Sequence, residues 1–382
     1  MTQKMKRLVL ILIIALMTAG AVQANKLRDI QSIVSELQMR LAPDGRTALW
    51  KVRTDSRARH IMVEGIVGTK AMENELKATF KDDKRVTVDV LVAEDVQPAS
   101  KQWALVKLGI ATLRCDAKHS AEVATQAIMG TPLRVLDNNG DWYRVQMPDD
   151  YIAWVPESSL IFRSAEQMQQ WRKSRRSVVT VYDSRLVTEP AGDETVSDLV
   201  LSCILEYQGE QGDWVHLATP DGRDGWVHKS QVADFDSWKE QAFDLSLIER
   251  TARRMMGSGY LWGGTTTKVT DCSGLMKISY LANGIILQRD ASQQALTGKK
   301  IADWHDCRLG DLLFFGNSKT GRVTHVGMYL REGKYIHCSG QVKINSLEPG
   351  AADYLYSPLS ISRIEGQVGT KGITAVAAHP WY

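Results

Sequence analysis

Cysteine is scarce in this chain, with five residues among 382. That number is too small for a disulfide-stapled scaffold, and because it is odd, at least one thiol stays unpaired. A hydrophobic fraction of 44% with 24% charged residues is ordinary for a globular protein, which excludes a wholly disordered or fibrous chain. The length predicts two to four domains, since one domain usually takes about 100–200 residues.

An excess of basic charge is also lacking once the first segment is set aside. The formal net charge is +3, and residues 1–24 contain Lys4, Lys6 and Arg7 but no acidic residue. Without that segment the chain has 44 basic and 44 acidic residues. Affinity for nucleic acids depends largely on cationic contacts with phosphate, so a nucleic acid is not an expected partner.

Long apolar runs are lacking apart from Leu8–Val22, which has 15 residues. This run is shorter than the roughly 20 residues that span a bilayer. A basic start, an apolar run and small residues before Asn25 are typical of a secretory signal peptide. We therefore expect cleavage near Ala24 and export to the periplasm of the cell envelope. After cleavage we expect no membrane attachment. A membrane anchor is the alternative.

Residues 25–104 are predicted to form a small α/β unit. Apolar residues recur at helical spacing in two stretches, and branched residues alternate in others. The order α-β-β-α-β is similar to that of the BON domains of bacterial envelope proteins. The predicted elements are residues 27–42, Thr47–Arg53, His60–Val67, Lys70–Phe80 and Val86–Val92.

The middle of the chain contains an internal repeat. Residues 140–160 and 212–232 align without a gap at an offset of 72, and eight of 21 positions are identical. Each copy is typical of a strand, a Pro-Asp turn and a second strand. Several short strands in about 60 residues fit a small closed barrel, which leaves no sheet edge exposed. The pattern resembles the bacterial SH3-like domains found beside cell-wall enzymes, at about 105–163 and 177–236.

The two copies carry tryptophans at matching positions. We expect Trp142 and Trp214 to fill the cores of the two barrels; the alternative is that the tryptophans form a wall-binding surface. Residues Ala165–Ser177, which connect the barrels, are basic and predicted to be helical. A charge run of this kind usually forms a solvated face.

One cysteine is placed for nucleophilic chemistry. A helix is predicted at about Ser237–Met256, and another begins after Asp271, a favourable N-cap residue, and stops at Asn283-Gly284. Cys272 then lies in the first turn, where unpaired N–H groups and the helix macrodipole stabilise a thiolate. A buried, inert cysteine is the alternative.

Two histidines lie on neighbouring predicted strands. Residues 324–330 and 334–340 are typical of strands around a three-residue loop at 331–333. With that loop His337 opposes Gly327, which leaves room for the His337 ring, and His325 lies at the diagonal position on the same face. A loop changed by one residue would put the two rings on opposite faces.

A cysteine at a helix start and two histidines on one sheet face supply a nucleophile, a general base and an orienting group. Cys272 is the candidate nucleophile, His325 the base and later the acid, and His337 the residue that orients His325. The Cys272 N–H is a candidate oxyanion donor, with a second donor nearby. A zinc site is the competing interpretation. The eleven residues between the histidines match no common zinc spacing, so we expect no metal and no cofactor.

Residues 247–350 resemble the NlpC family of papain-like cell-wall peptidases. Gln288 departs from the family, which usually has proline there, and Cys338 replaces a small hydroxyl residue after His337. The segments that carry the resemblance, in the family's order and spacing, are YLWGG (260–264), DCSG (271–274), QRDASQQ (288–294), LGDLLFF (309–315), THVGMYL (324–330) and YIHCSG (335–340).

The order of two SH3-like barrels and this peptidase resembles enzymes of the dipeptidyl-peptidase VI type. These enzymes hydrolyse the bond between γ-D-glutamate and the diamino acid of murein peptides that have a free N-terminal L-alanine. The resemblance implies that Tyr260 lines the site near the thiol, and that Asp271 and Ser273 hold the substrate amine and the γ-linked dipeptide. It also implies an acid and a tyrosine from the first barrel, by position Glu122 and Tyr151; ordinary barrel surface is the alternative for these two.

These features predict a multidomain α+β protein: the small α/β unit, two SH3-like β-barrels and a C-terminal papain-like α+β peptidase domain at 237–382. The expected activity is hydrolysis of murein tripeptides and tetrapeptides by a monomer. An endopeptidase or amidase acting on intact peptidoglycan is one alternative, and a catalytically silent wall-binding module is another. Cys115, Cys203 and Cys307 are expected to be buried or idle thiols, although a disulfide between two of them stays open.

Overall fold

A computed structural model of the chain describes Met5 and residues 24–57, 60–355 and 357–382. The predicted signal peptide lies outside the described residues, Met5 and Ala24 excepted. The chain divides into two compact units, Met1–Pro98 and Ala99–Tyr382. Within the described ranges, no helix combines the length and the apolar character needed to cross a membrane.

The N-terminal unit has the order of elements that the sequence predicts. Its elements are α1 (24–41), β1 (Trp50–Arg57), β2 (His60–Val67), α2 (Lys70–Phe80), β3 (Val86–Val92) and the short helix α3 (Ala93–Val96). β2 is the central strand, antiparallel to β1 and parallel to β3, because the α2 crossover returns the chain in the same direction. The apolar residues of α1, α2 and the sheet form one core, which includes Ile30, Val34, Leu37, Ile61, Val63, Leu76 and Phe80.

The first barrel is built from seven antiparallel strands, after a short 3₁₀ helix at Ala99–Lys101. The strands are β4 (Trp103–Val106), β5 (Ile110–Arg114), β6 (Val123–Ile128), β7 (Pro132–Asn139), β8 (Trp142–Gln146), β9 (Ile152–Pro156) and β10 (Leu160–Arg163), with a 3₁₀ helix at Glu157–Ser159. Their order in the sheet is β10-β4-β7-β8-β9-β5-β6. Alternate side chains point inward and fill a core that includes Val106, Leu113, Leu133, Val135, Tyr143, Val145 and Val155.

The second barrel repeats the first. Its strands are β11 (Arg176–Val179), β12 (Asp183–Val187), β13 (Thr195–Val200), β14 (Ile204–Gln211), β15 (Trp214–Ala218), β16 (Asp224–His228) and β17 (Val232–Asp234), with a 3₁₀ helix at Lys229–Gln231. Their order, β13-β12-β16-β15-β14-β11-β17, is that of the first barrel with each strand replaced by its counterpart. The register repeats as well, since Trp142 pairs with Pro156 and Trp214 with His228, 72 residues later in both strands. The repeat in sequence is therefore a repeat in fold.

The prediction that the tryptophans fill the barrel cores is wrong. Burial alternates along β8, and the inward positions belong to Tyr143 and Val145. Trp142 precedes the first inward position, so the period of two puts it on the other face, and Trp214 occupies the same place on β15. Both tryptophans are half-buried there, each packed edge-on against a histidine ring.

Helix α4 (Ala165–Lys173) connects the barrels. The Ser164 hydroxyl accepts a hydrogen bond from the Gln167 N–H, and the Gln167 side chain accepts one from the Ser164 N–H, which closes a capping box. Met168 and Trp171 are buried, so the predicted solvated face covers only part of this helix. The helix ends at Lys173, and Arg176 is buried at the start of β11, so the prediction of a helix through Ser177 is wrong. Met168 and Trp171 pack in one cluster with Leu105 of the first barrel and Ile204 of the second.

The helix predicted at Ser237–Met256 is two helices, so that prediction is wrong. The Asp244 carboxylate accepts a hydrogen bond from the Ser246 N–H at 2.8 Å and starts a new helix there. The Asn283 side chain accepts one from the Asp244 N–H at 2.7 Å. These two bonds hold the residues before 245 out of the helix. The helices of this domain are α5 (Phe235–Lys239), α6 (Leu245–Arg254), α7 (Cys272–Leu281) and α8 (Ala291–Gln294), with 3₁₀ helices at Trp304–Asp306 and Val376–Ala378.

The peptidase domain is centred on a six-stranded antiparallel sheet. The strands of the domain are β18 (Ile285–Leu287), β19 (Lys299–Ile301), β20 (Leu312–Asn317), β21 (Arg322–Tyr329), β22 (Lys334–Ser339), β23 (Gln341–Ser346), β24 (Ser360–Arg363) and β25 (Ile373–Ala375). The main sheet has the order β19-β24-β20-β21-β22-β23, while β18 pairs with β25 alone. Leu275, Met276 and Ile278 of α7 share a core with Val326 and Ile336 of the sheet. A second cluster contains Leu313, Phe315, Tyr329 and Tyr335.

Polar contacts attach the first barrel to the peptidase domain. The Gln126 side chain accepts a hydrogen bond from the Thr265 N–H at 2.9 Å, and the Thr265 hydroxyl accepts one from the Gln126 N–H at 3.1 Å. Asp149 forms an ion pair with Lys277 on α7, and the Lys277 ammonium also donates to the Leu287 carbonyl at 3.0 Å. The first barrel thus positions both α7 and the loop before it.

Replacing Lys277 by Met should destabilise the protein. The Asp149 side chain is 1% exposed, so the variant leaves a buried carboxylate without its cation. Breaking such a pair by removing one partner typically costs about 3–5 kcal/mol. The free energy of unfolding should therefore fall by about 3–5 kcal/mol. It is measured by denaturant titration of the full chain with tryptophan fluorescence.

Lys229→Met is the matched control. Lys229 pairs with Glu210 on the second barrel, and both side chains are about 40% exposed, 42% and 40% respectively. Exposed pairs contribute little, because water and salt screen them. Equal denaturation midpoints for the two variants would contradict a structural role for the Asp149–Lys277 pair.

Candidate active site

Cys272 lies in the first turn of α7, as the sequence predicts. Asp271 is the N-cap residue, and its carboxylate accepts a hydrogen bond from the Gly274 N–H at 2.7 Å. The Cys272 side chain is buried, 6% exposed. The backbone N–H groups of Ser273 and Val326 both interact with its thiol. Val326 directly follows His325 on β21, so the strand brings that histidine beside the start of the helix.

Burial raises the pKa of the Cys272 thiol to about 11, and the Asp271 carboxylate raises it further. The N–H groups of Val326 and Ser273 and the Arg289 guanidinium act in the opposite direction. The helix start was expected to favour the thiolate, but loss of hydration outweighs that effect because a buried anion has no water around it. The resting group is a neutral thiol that needs a base.

The two histidines meet as the predicted hairpin requires. Gly327 pairs with His337, and the Leu330 N–H donates to the Lys334 carbonyl, which is the register expected for a three-residue loop. His325 Nε2 lies 2.7 Å from His337 Nδ1. A Cβ on Gly327 would lie 3.1 Å from the Cβ of His337 and 2.8 Å from a Tyr335 ring carbon. Glycine is needed at this position because a side chain there would collide with the Tyr335 ring and crowd the Cβ of His337.

Asn345 extends the pair of histidines to a third side chain. His337 Nε2 lies 2.8 Å from Asn345 Oδ1, and both residues are buried. Sequence reasoning missed Asn345. A signal was present, because β23 follows β22 directly and Asn345 sits two residues from Lys343, the partner of His337, on the same face.

Burial lowers the pKa of His325 to about 4, and the neighbouring His337 and Lys343 lower it further, while Asp271 opposes them. Burial also lowers the pKa of His337; its hydrogen bond to Asn345 acts the other way. The rings of Phe315 and Tyr335 lie beside the pair, with Tyr335 4.9 Å from His337 between ring centroids. In these apolar surroundings both imidazoles are neutral, since a charged ring would lose its hydration.

Asp271 and Arg289 form a buried ion pair next to the cysteine. Arg289 Nη2 lies 2.5 Å from Asp271 Oδ2, and Arg289 Nη1 donates to the Ser273 hydroxyl at 2.9 Å. The Asp271 carboxylate also accepts from the Gly263 N–H at 2.9 Å and from the Ser273 hydroxyl at 3.2 Å. With the cap bond to Gly274, both carboxylate oxygens are fully used. Sequence reasoning missed Arg289, which lies in the QRDASQQ segment at 288–294.

The first barrel reaches this ion pair. Arg289 Nε donates to the Thr125 hydroxyl at 3.0 Å. Gly263 has a φ of +84°, and a Cβ there would lie 2.5 Å from a methyl group of Val123. Close contact between the barrel and the loop therefore requires glycine at 263, for space and for backbone conformation.

Tyr260 is half-buried and packs against the core cluster that contains Cys272. Its backbone N–H donates to the Gly340 carbonyl at 2.9 Å, which ties the YLWGG loop to the end of β22. Burial raises the pKa of the Tyr260 hydroxyl, and the proximity of Cys272 and Asp271 raises it further. Tyr260 therefore keeps its hydroxyl proton, and it lies close enough to Cys272 for the two groups to influence each other electrostatically.

Of the two predicted residues from the first barrel, Tyr151 is the more closely connected to the site. Tyr151 is buried, and its hydroxyl donates to the Asp290 carboxylate at 3.2 Å, next to Arg289. The Glu122 side chain is exposed. Glu122 and Asp290 both raise the pKa of Cys115, after the larger effect of burial, so the two carboxylates approach the same thiol.

All five cysteines are free thiols. Cys338 is fully buried, and its thiol donates to the Thr270 carbonyl at 3.5 Å, one residue before Asp271. Burial raises the pKa of Cys338 to about 12, with Cys272 adding to the effect. Cys338 therefore stays protonated and supports the backbone that leads into α7.

Two segments of the chain match known families. Residues 257–358 match the NlpC/P60 family, and this range contains Cys272, His325 and His337. Residues 113–160 match the bacterial dipeptidyl-peptidase SH3 domain, within the first barrel.

Named relatives resemble a larger part of the chain. The gamma-D-glutamyl-L-lysine dipeptidyl-peptidase of Bacillus cereus is 27% identical over 229 residues, which cover 56% of this chain and 67% of that protein. Dipeptidyl-peptidase 6 of Lysinibacillus sphaericus is 29% identical over 262 residues, which cover 64% of this chain and 92% of that protein.

A solved structure shows the same fold. An NlpC/P60 family protein from Bacillus cereus superposes with a TM-score of 0.59 at 23% identity, over 68% of this chain and 99% of that one. The multidomain α+β architecture, with SH3-like barrels and a papain-like domain, is therefore as predicted. Residues 257–358 of this chain are an NlpC/P60 domain, joined to a bacterial dipeptidyl-peptidase SH3 domain at residues 113–160.

Proposed function

We propose that this chain is a cysteine peptidase that hydrolyses the bond between γ-D-glutamate and the diamino acid of murein peptides with a free N-terminal L-alanine. The observation that carries the proposal is the buried pair of His325 and His337, whose ring nitrogens are 2.7 Å apart. His325 lies on β21, the strand whose Val326 N–H reaches the Cys272 thiol. The family of residues 257–358 and the activities named for the relatives support the substrate class. The same proposal includes export to the periplasm of the cell envelope by the signal peptide. It also includes action as a monomer.

In the proposed reaction, His325 takes the proton of the Cys272 thiol, and the sulfur attacks the γ-carbonyl carbon of D-glutamate. The carbon–nitrogen bond then breaks, and the departing amine of the diamino acid takes the proton from His325. Water attacks the resulting thioester while His325 accepts a proton from it. That proton returns to the sulfur, which releases the glutamyl acid and restores the thiol.

The oxyanion that forms in both steps needs two donors. The Cys272 N–H stands at the start of α7, where the first N–H groups of a helix have no partner within the helix. Tyr260 is the proposed second donor, because burial keeps its hydroxyl protonated next to the thiol. Removing one such donor typically costs about 10²–10³ in kcat.

Recognition of a free ammonium group is proposed at the barrel end of the site. Asp290 and Tyr151 are hydrogen-bonded there, and Glu122 adds a second carboxylate nearby. Asp271 already accepts hydrogen bonds from five donors, so its proposed part is to hold Ser273 and Arg289 in place for the γ-linked dipeptide. An acylated amine carries no positive charge and would leave the carboxylates without a partner.

Replacing Cys272 by Ala should reduce hydrolysis of L-Ala-γ-D-Glu-diamino acid peptide by several orders of magnitude, because the attacking thiol is lost. Release of L-Ala-D-Glu, followed by chromatography, measures the rate. Cys307→Ala is the matched control, since Cys307 is a half-buried free thiol outside the site. Full activity of Cys272→Ala would exclude this residue as the nucleophile.

The free peptide should be cleaved much faster than its N-acetylated form and than intact sacculi. Barrel residues that pack against the loop at 263–265 close this side of the site, and the carboxylates select an ammonium group. The measurement compares kcat/KM for the three substrates. Equal cleavage of free and acetylated peptide would contradict amine recognition, and faster cleavage of sacculi would favour an endopeptidase or amidase of intact wall. Binding to sacculi without turnover of any substrate would favour a wall-binding module.

The acid limb of the kcat/KM profile should lie well below pH 6.5. The base must be neutral, and since burial lowers the pKa of His325 to about 4, the imidazole stays neutral until the pH falls towards that value. At high pH the activity should decline as the substrate ammonium loses its proton, near pH 8. The profile is measured with the free peptide. An acid limb at or above pH 6.5 would contradict a buried, neutral His325.

A further inference from the structure

Four polar groups form a continuous chain that leads away from the cysteine. His325 Nε2 lies 2.7 Å from His337 Nδ1, and His337 Nε2 lies 2.8 Å from Asn345 Oδ1. The Asn345 Nδ2 group in turn donates to the Asp353 carbonyl. The chain crosses three neighbouring strands, β21, β22 and β23, and ends on the backbone of the loop that follows them.

The Asp353 carbonyl, at the end of this series of hydrogen bonds, determines the direction of every bond in it. The Asp353 carbonyl has no proton and can only accept, so the NH₂ group of Asn345 must face it. The oxygen of Asn345 then faces His337 and can also only accept. His337 must therefore carry its proton on Nε2, which leaves Nδ1 of the neutral ring as an acceptor.

The same reasoning fixes the second ring. Because His337 Nδ1 accepts, the proton of neutral His325 must be on Nε2, which donates to it. The one unprotonated nitrogen of His325 is then Nδ1. A base needs a free lone pair, so Nδ1 is the atom that can take the proton from a thiol.

We infer that Asn345 is a positioning residue that, anchored by the Asp353 carbonyl, locks both histidines in the Nε2–H tautomer and reserves His325 Nδ1 as the base. The inference rests on the proposed function in one respect, the roles of Cys272 and His325. The tautomers themselves depend on the hydrogen-bond chain and not on any substrate.

The loop that carries the anchor is itself fixed to the sheet. The Asp353 carbonyl also accepts from the Ser346 N–H at 3.3 Å, and the Asp353 carboxylate pairs with Lys334 at 3.1 Å. Asn345 belongs to β23, where its backbone pairs with Tyr335. The Asn345 amide nitrogen is therefore held by a backbone carbonyl that cannot titrate, and this contact keeps the amide oxygen facing His337.

An amide serves this purpose better than a carboxylate. An aspartate at 345 would accept from His337 but would add a negative charge, which stabilises the imidazolium form. The charged groups that act on the pair are Lys343 across from His337, which disfavours a positive ring, and Asp271 beside His325, which favours one. Asn345 orients the rings without changing this balance of charge.

The tautomers can be read directly from nitrogen chemical shifts. The full chain labelled with ¹⁵N-histidine is measured by long-range proton–nitrogen correlation at neutral pH, and the two residues are assigned with the variants His325→Gln and His337→Gln. We expect protonated Nε2 and unprotonated Nδ1 in both rings. A protonated Nδ1 on either ring of the wild-type protein would overturn the inference, whether or not any peptide is cleaved.

Variants of Asn345 test the consequence for catalysis. Asn345→Ala should release the His337 tautomer, give mixed nitrogen shifts and lower kcat/KM about 10–100-fold, as is typical when the partner that orients a functional histidine is removed. Asn345→Asp should keep the ring orientation but shift the acid limb of the kcat/KM profile upward by roughly 1–3 pH units. If the alanine variant does not fold, the aspartate variant and the wild-type shifts still decide the question.

Asn283→Ala is the matched control. Asn283 is as buried as Asn345, accepts from the Asp244 N–H at 2.7 Å and donates to the Ala242 carbonyl at 3.1 Å, but touches neither histidine. It should lower stability and leave the nitrogen shifts and the pH profile unchanged. If the Asn345 variants behave like this control, Asn345 has only a structural role and the inference is wrong. A wild-type protein with the expected shifts but no activity on murein peptides would instead refute the proposed function and retain the tautomers.

Discussion

The buried ion pair between Asp271 and Arg289 is the interaction on which the arrangement of the site depends. Asp271 caps α7 and holds the N–H of Gly263, while Arg289 reaches the hydroxyl of Thr125 on the first barrel. Losing either partner would leave an uncompensated charge with almost no access to water, which costs far more than an exposed pair contributes. The helix start, the glycine loop and the barrel are therefore held in one arrangement. The place of Cys272, one residue after Asp271, follows from that arrangement.

The electrostatics of the site combine a buried candidate nucleophile with a buried candidate base. Burial raises the pKa of the Cys272 thiol and lowers that of His325, so both groups rest in the neutral form. In the proposed reaction, proton transfer between them depends on geometry more than on a preformed ion pair, so the orientation of the rings is decisive. A chain of neutral acceptors through His337 and Asn345 supplies that orientation. The same low polarity would make each donor to the oxyanion of the proposed reaction more effective than it would be in water.

The parts of the site that were predictable are those set by local rules. A favourable cap residue before an apolar helical face placed Cys272 in the first turn, and a three-residue loop fixed the hairpin register that brings His325 to His337. Two of the predictions that failed had different physical causes. Trp142 lies outside the barrel core because the inward positions of β8 begin one residue later. The helix predicted through Asp244 is interrupted because a side chain nearly 40 residues away, Asn283, binds the Asp244 N–H.

The sequence by itself determined the order of the elements, the repeat of the two barrels and the three residues of the proposed chemistry, because period, capping and loop length act over short distances along the chain. Only the tertiary structure decided which other groups join them. Arg289 and Asn345 were not recognised as site residues, since each gains its role from a partner on another element. The protonation of the site was decided in the same way. A pKa depends on how much water remains around the group, and that is settled by packing against the sheet and the first barrel.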